Sequence, residues 1–317
     1  MRLRRSSTDD PGYTRRRRGR GFSYADADGR PLRDPETLAR IEALVIPPAW
    51  SDVWICASDN GHLQAAGTDA DGRRQYRYHP AWTERAGRSK YARVRELASC
   101  TTPLRRRITA DLRGDDPELR ATAIAARLID TIGVRLGDER YAVERGTVGA
   151  LTLERRHLSI DGDVVRLNFP AKSGVQWLAE VRDRELAAAL EHVPAGRGTR
   201  LTAWRTDGAE HHLNARTLTR YLATGSGCRI TPKDLRTLLG SRTAAEVLAR
   251  TGPVPRREQD AVILTAVDAV AETLRNTRAV ARASYIDPLV IERYRRGRVA
   301  ELSRAGVSDR AYAALVS

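Results

Sequence analysis

Three pairs of a capping residue followed by proline, Asp116-Pro117, Thr231-Pro232 and Asp287-Pro288, constrain this fold more than any other feature. A cap side chain accepts from the first-turn amides, and a proline at the next position starts a helix without losing a needed N–H. After the first pair, Ile124, Leu128 and Ile132 recur every four residues and Gly133 suits the stop, so Arg135 falls just past a helix end, where it can face a cleft. The second pair predicts a helix over 232–249, with Lys233 and Arg236 one turn apart on one face. A helix over 213–222 precedes it. A longer one follows, with Ile263, Val267, Val270 and Leu274 on one stripe, ending near Arg275-Asn276. Thr277 caps a short helix that Pro288 ends by pushing Asp287 out of the α region. Tyr285 therefore lies within one turn of a helix terminus.

The front of the chain has a different texture. Residues 34–45 read as a short helix stopped by Pro47-Pro48. Val53-Trp54-Ile55, Leu63–Ala66 and Gln75–His79 are β-type runs, with an Asp-Gly turn before the last. In a strand, Tyr76 and Tyr78 share one face and Gln75, Arg77 and His79 the other. Strand texture returns at 157–168, broken by Asp161-Gly162, and the turn Pro170–Gly174 puts Lys172 at a loop tip. The expected class is α+β: a basic, flexible tail over 1–20, a β-rich domain over 21–83, a charge-rich hinge over 84–95, and a mainly helical domain with β-hairpins over 96–317.

The formal net charge of +15 makes a polyanion the expected partner, and nucleic acid leads. Of 55 basic residues only Lys90, Lys172 and Lys233 are lysine. Arginine suits phosphate, which its fork grips bidentately, although a coding bias gives the same composition. A surviving lysine marks a place where a guanidinium does not serve, such as general-acid work, because an ammonium can give up its proton. No apolar run approaches the ~20 residues of a membrane span, and no secretory segment is expected. Cys56, Cys100 and Cys228 have no zinc spacing and are expected as free thiols in a reducing compartment, the cytoplasm and its nucleoid. His211-His212 lack a partner at metal spacing, and no glycine pair completes a nucleotide fingerprint, so neither metal nor cofactor is expected.

If the polyanion is DNA and Tyr285 attacks a phosphodiester, four needs follow. A phenol, with a pKa of about 10, must be activated or positioned. The non-bridging oxygens need fixed donors, the leaving 5′ oxygen needs a proton, and the duplex needs a grip. Arg135, Arg236 and the neutral donor Asn276 suit the oxygens. Lys172 suits the proton, and the basic strand with Gln75, Tyr76 and Tyr78 suits the grip.

In order along the chain stand Pro47-Pro-Ala-Trp50, Gln75-Tyr-Arg-Tyr78, Val134-Arg-Leu-Gly137 and Gly146-Thr-Val-Gly-Ala-Leu-Thr152. Lys172-Ser-Gly174, Lys233-Asp-Leu-Arg236 and Arg282-Ala-Ser-Tyr285 follow. With these motifs the sequence resembles the type IB DNA topoisomerases of the short poxvirus and bacterial kind. The resemblance implies attack by Tyr285, a 3′-phosphotyrosyl intermediate with a free 5′-hydroxyl, swivelling that relieves supercoils of either sign, and resealing without ATP or metal. It implies phosphate-clamping roles for Arg135 and Arg236, the general acid for Lys172, and an accessory role for Lys233. Gln75, Tyr76, Tyr78 and Tyr141 are implied as DNA contacts, in a monomer that clamps double-stranded DNA. Asn276 stands nine residues before Tyr285, where poxvirus and nuclear members carry histidine. Its donor role is expected to be kept without the charge. A tyrosine recombinase shares these groups but usually has His-x-x-Arg where this chain has Lys233-x-x-Arg236. A non-enzymatic basic DNA-binding protein would leave the ordered set as coincidence.

Overall fold

The computed structural model describes residues 2–171, 174–194, 196 and 198–317, and the side chains of 140, 141 and 145 lie outside that description. The chain divides into two compact units, Met1–Ser89 and Lys90–Ser317.

The first unit is a five-stranded antiparallel sheet with one helix. Its elements are β1 (Gly12–Arg18), β2 (Gly21–Ala25), α1 (Pro35–Ala43), β3 (Ser51–Cys56), β4 (Leu63–Thr68) and β5 (Arg74–Tyr78). They order as β2-β1-β3-β4-β5. Asp34 caps α1 by accepting from Thr37 N at 2.8 Å. Successive side chains of β3 fill both faces of the sheet. Val53 and Ile55 pack with Ile41 of α1 and with Ala65, whereas Trp54 and Cys56 form a second cluster with Leu63 and Ala66.

That second face corrects the expectation of a flexible tail over 1–20. Ser6 donates its hydroxyl to Leu63 O at 3.0 Å, Arg4 N donates to Asn60 O, and Trp54 Nε1 donates to Asp10 O at 2.9 Å. The run Arg15–Arg18 lies in β1, paired with β2, and Arg15 gives its fork to the carbonyls of Ile46, Pro47 and Trp50. A row of arginines looks solvated in sequence. Here one guanidinium satisfies three carbonyls at a chain bend, and its neighbours ride on a paired strand.

The division between the units, after Ser89, falls inside the expected boundary segment 84–95, but that segment is helical. Those residues lie inside α2 (Pro80–Arg113), a single helix whose Tyr91, Val94, Leu97, Ala98, Thr101, Leu104, Ile108 and Leu112 are buried. Surface charges obscured this stripe, which recurs at three- and four-residue intervals.

The second unit continues with α3 (Pro117–Thr131), α4 (Glu139–Arg145), β6 (Leu158–Asp161), β7 (Val164–Pro170), β8 (Gln176–Arg182), α5 (Arg184–Glu191), β9 (Ala203–Thr206) and β10 (Ala209–His212). It ends with α6 (Ala215–Ser226), α7 (Pro232–Thr251), α8 (Arg256–Leu274), α9 (Arg278–Tyr285), α10 (Pro288–Arg295) and α11 (Asp309–Val316). The three cap–proline pairs open α3, α7 and α10. Helix α3 is buried on nearly every side, touching α5, α6, α7 and β9. Strands β6, β7 and β8 form an antiparallel sheet that α5 touches at β7, and β9 and β10 a separate hairpin. Cys100 of α2 and Cys228 after α6 are joined as a disulfide, which corrects the expectation of free thiols for this pair and leaves Cys56 free. A pairing across 128 residues leaves no spacing signal, because it depends on α2 packing beside α6.

Candidate active site

Tyr285 is the last residue of α9, and its position follows from the sequence on either side. Thr277 caps the helix by accepting from Val280 N, and Ile286 is extended. Asp287 then caps α10, accepting from Leu289 N at 3.0 Å. Helix α7 runs behind the tyrosine. A Cβ on Gly240 would stand 2.8 Å from Tyr285 O and 3.1 Å from Tyr285 Cβ, so only glycine lets the two helices approach this closely. At the next residue, Ser241 donates its hydroxyl to Tyr285 O at 3.2 Å and accepts from Asp287 N at 2.9 Å. The side chain of Tyr285 is largely buried, with 9 % exposure, and its ring lies 5.3 Å from the guanidinium carbon of Arg236.

Arg236 projects from the first turns of α7, which is opened by a reciprocal capping box between Thr231 and Asp234. Arg135 follows α3, past Gly133 at φ +73°. Its backbone is pinned where Ala150 N donates to Arg135 O at 2.8 Å, and a Cβ on Gly149 would lie 2.5 Å from that oxygen. Asn276 follows α8, whose C-terminus is closed by Arg275 in the left-handed region at φ 48°. Three chain breaks, each marked in the sequence by a cap or a glycine, thus bring Arg135, Arg236 and Asn276 to the nucleophile candidate.

Trp177 of β8, with 1 % exposure, links the arginines: both guanidinium carbons lie 5.8 Å from its ring centroid. Phe169 stacks under it at 5.6 Å. An aromatic face this close attracts a guanidinium and leaves its edge donors available. Among the described residues neither arginine is ion-paired. Arg135 Nη2 donates to Arg275 O at 3.1 Å and to Asn276 Oδ1 at 2.5 Å, and Arg236 Nη2 donates to Leu274 O at 3.4 Å. Arg135 Nη1, Arg236 Nη1 and Asn276 Nδ2 are buried with no partner among the described residues. Each such orphan costs about 1–3 kcal/mol. Burial pushes Arg236 down to about 10, with Tyr285 opposing and Arg135 adding to the shift. Burial also lowers Arg135, with Tyr285 again opposing. Two like charges and three unspent donors held together, with no carboxylate between them, form a site for a multiply oxygenated anion. A cavity of about 670 Å³ opens beside it, lined by Arg135, Val175, Ala271, Glu272, Arg275, Asn276, Thr277 and Val280.

The remaining sequence candidates fall elsewhere. Lys172 lies outside the described residues, as does the side chain of Tyr141. Lys233 is exposed on α7, three residues before the buried Arg236. Tyr76 and Tyr78 are half exposed and stack with centroids 6.1 Å apart on β5 of the first unit. Gln75 donates its amide to Asp69 Oδ2 at 2.8 Å. Sequence reasoning missed Trp177, Ser241 and the fully buried Asp287. Trp177 carried one faint signal, a tryptophan five residues beyond Lys172 in a strand of alternating character.

Two family descriptions match the chain: "Bacterial DNA topoisomerase IB, N-terminal domain" over residues 21–69 and "Eukaryotic DNA topoisomerase I, catalytic core" over residues 80–301. Among curated proteins, DNA topoisomerase 1B of Acanthamoeba polyphaga mimivirus is 28% identical over 296 residues, covering 89% of this chain and 87% of the relative. DNA topoisomerase 1 alpha of Arabidopsis thaliana is 27% identical over 168 residues, which is 51% of this chain and 17% of that protein. Mus musculus DNA topoisomerase 1 is 29% identical over 99 residues, 29% of this chain and 13% of the relative. The chain thus spans a small share of the last two relatives. A XerH site-specific recombinase bound to its difH substrate overlaps 60% of this chain and 51% of its own at 11% identity and a TM-score of 0.37, which says nothing about the reaction.

Proposed function

The chain belongs to the type IB DNA topoisomerases, and on that premise we propose how its residues divide the work. The phenolic oxygen of Tyr285 attacks the phosphorus of one DNA strand. A P–O bond to tyrosine forms, the bond to the 5′ oxygen breaks, and the leaving oxygen takes a proton to become a 5′-hydroxyl. The broken strand swivels, and the hydroxyl attacks the 3′-phosphotyrosyl bond to restore the strand and release the tyrosine. Bond energy is kept in the covalent intermediate, so no nucleotide is consumed.

The observation that carries this reading is the set of three orphaned donors, on Arg135, Arg236 and Asn276, beside Tyr285. They offer fixed positive charge and N–H groups where negative charge grows in a phosphoryl transition state, and their desolvation cost is already met in the folded enzyme. Lys172 we assign as the acid that protonates the 5′ oxygen, from its place in the sequence motif Lys172-Ser-Gly174. Lys233 is a neighbouring accessory cation. Tyr76, Tyr78 and Gln75, with Tyr141, supply DNA contacts, and the enzyme works as a monomer gripping the duplex.

The test is plasmid relaxation in EDTA without ATP. Negatively and positively supercoiled substrates should both relax in single-linking-number steps. An active, DNA-binding preparation that relaxes neither would overturn the proposal.

A further inference from the structure

The C-terminal end of α9 is capped by three side chains from outside it. A helix leaves its last carbonyls without intrahelical partners. Here Tyr91 OH donates to Ala283 O at 3.5 Å, Lys90 Nζ donates to Ser284 O at 3.0 Å, and Ser241 Oγ donates to Tyr285 O at 3.2 Å. Two of the three donors come from α2 and one from α7, so the end of α9 is gripped from two sides. The cap is itself anchored. Asp287 receives Arg95 bidentately at 2.8 and 2.9 Å and the Tyr312 hydroxyl at 3.0 Å.

Lys90 is the only ionised member of the three. Its Nζ also lies 4.0 Å from the ring centroid of Tyr91, which places a cation between an aromatic face and the negative end of a helix. Such a charge-assisted contact is stronger than one from a neutral donor. It falls one residue from the tyrosine whose oxygen must line up with phosphorus and leaving group.

We propose that Lys90 is a positioning residue of the reaction, whose ammonium holds the Ser284 carbonyl and thereby sets the angle at which Tyr285 attacks. This rests on the reading of Tyr285 as the nucleophile. The grip is pH-dependent within the working range. Burial, then Lys233 of α7 and Arg93 of its own helix, lower the ammonium, while Asp234 of α7 and Asp287 after α9 raise it, and the outcome is about 8. Below that pH the ammonium grips; above it a neutral amine is left and the charge on the helix end is lost.

Single-turnover cleavage is the readout, on DNA with a 5′-bridging phosphorothiolate. Its thiolate leaves without an acid, so titration of Lys172 drops out. Lys90→Met should cleave about 10- to 100-fold more slowly at pH 7, the scale of a misplacement near 1 Å, with duplex affinity unchanged. The wild-type to Lys90→Met rate ratio should fall as pH rises through about 8. That ratio cancels titrations common to both proteins. Lys90→Arg, which stays charged, should recover most of the rate and keep a flat ratio to Lys90→Met. If Lys90→Met melts well below the wild type, Lys90→Gln gives the same comparison. A pH-independent wild-type ratio, or Lys90→Met cleaving at the wild-type rate, overturns the inference alone. Absence of covalent adduct in the wild type overturns the nucleophile reading and this inference with it.

Discussion

Arg135 donates Nη2 to the side-chain oxygen of Asn276 at 2.5 Å, and this one bond fixes which way the asparagine faces. A guanidinium only donates, so the carbonyl oxygen must point at it and the amide nitrogen must point away. That nitrogen is one of the three orphans. The neutral residue at this position is therefore presented as a donor, oriented by one of the cations beside it.

Asn276→Ala should slow single-turnover cleavage by about 10²-fold, the typical cost of losing one such donor. Asn276→Asp should be slower still, because a carboxylate would pair with Arg135 and face the phosphate with the wrong charge. Duplex affinity should change little in the alanine variant. Equal rates for wild type and Asn276→Ala would remove the residue from the anion site.

Trp177 supports both arginines at 5.8 Å, so its loss should act on catalysis and stability together. Trp177→Ala is expected to cost about 3–5 kcal/mol of folding stability, as a large buried side chain does. Trp177→Phe retains a face for the guanidiniums and should fold well. Its cleavage should still fall by a factor of about ten, for a cation–π loss of roughly 1–2 kcal/mol. Denaturant melts and cleavage rates measured on the same preparations check this.

Gly240 lies where α7 meets Tyr285. Alanine is the better helix former by about 1 kcal/mol, so an open site would gain stability from Gly240→Ala. Here the added Cβ meets Tyr285 O at 2.8 Å, and the helix must shift. The variant should melt lower than the wild type and cleave more slowly at unchanged DNA affinity. A raised melting temperature with normal cleavage would contradict the packing described.

In the first unit, Gln75 spends its amide on Asp69. Burial pushes the Asp69 carboxyl up, but the backbone and side chain of Arg73, then Gln75 and the Asp71 amide, outweigh it and hold it at about 2. A depressed carboxyl contributes stability above its ordinary range and loses it as pH falls through that range toward about 2. Gln75→Ala should raise the Asp69 titration, read from its carboxyl carbon shift, and move the onset of acid loss to higher pH. It should weaken DNA binding less than Tyr76→Ala or Tyr78→Ala, whose rings are half exposed. The reverse order would make Gln75, and not the two tyrosines, the principal DNA contact of this strand.

How much could be read in advance depended on whether the cause was local. Arg135, Arg236, Asn276 and Tyr285 sit beside caps and glycines, and these are decided by a few neighbouring residues, so their helix-end positions were legible. The continuity of α2 was not. Tyr91, Val94 and Leu97 are buried, with Tyr91 bonded to Ala283 far along the chain, and Arg85, Gly87 and Arg88 just before them read as a linker. The same holds for Arg15, whose three carbonyl acceptors lie more than thirty residues on, and for the pairing of Cys100 with Cys228. Lys90 was visible only as one of three lysines. That it points at Ser284 depends on α2 lying against α9, which periodicity does not encode.

Covalent trapping tests the central claim most directly. A nicked suicide duplex, whose short leaving strand diffuses away after cleavage, is incubated with wild type and with Tyr285→Phe. Label is placed on either side of the scissile phosphate. Wild-type protein should capture only the strand that ends in the 3′-phosphate, and Tyr285→Phe should bind the same duplex with equal affinity and capture nothing. An adduct with Tyr285→Phe, or a wild-type adduct on the 5′ side of the break, would contradict the assignment of Tyr285.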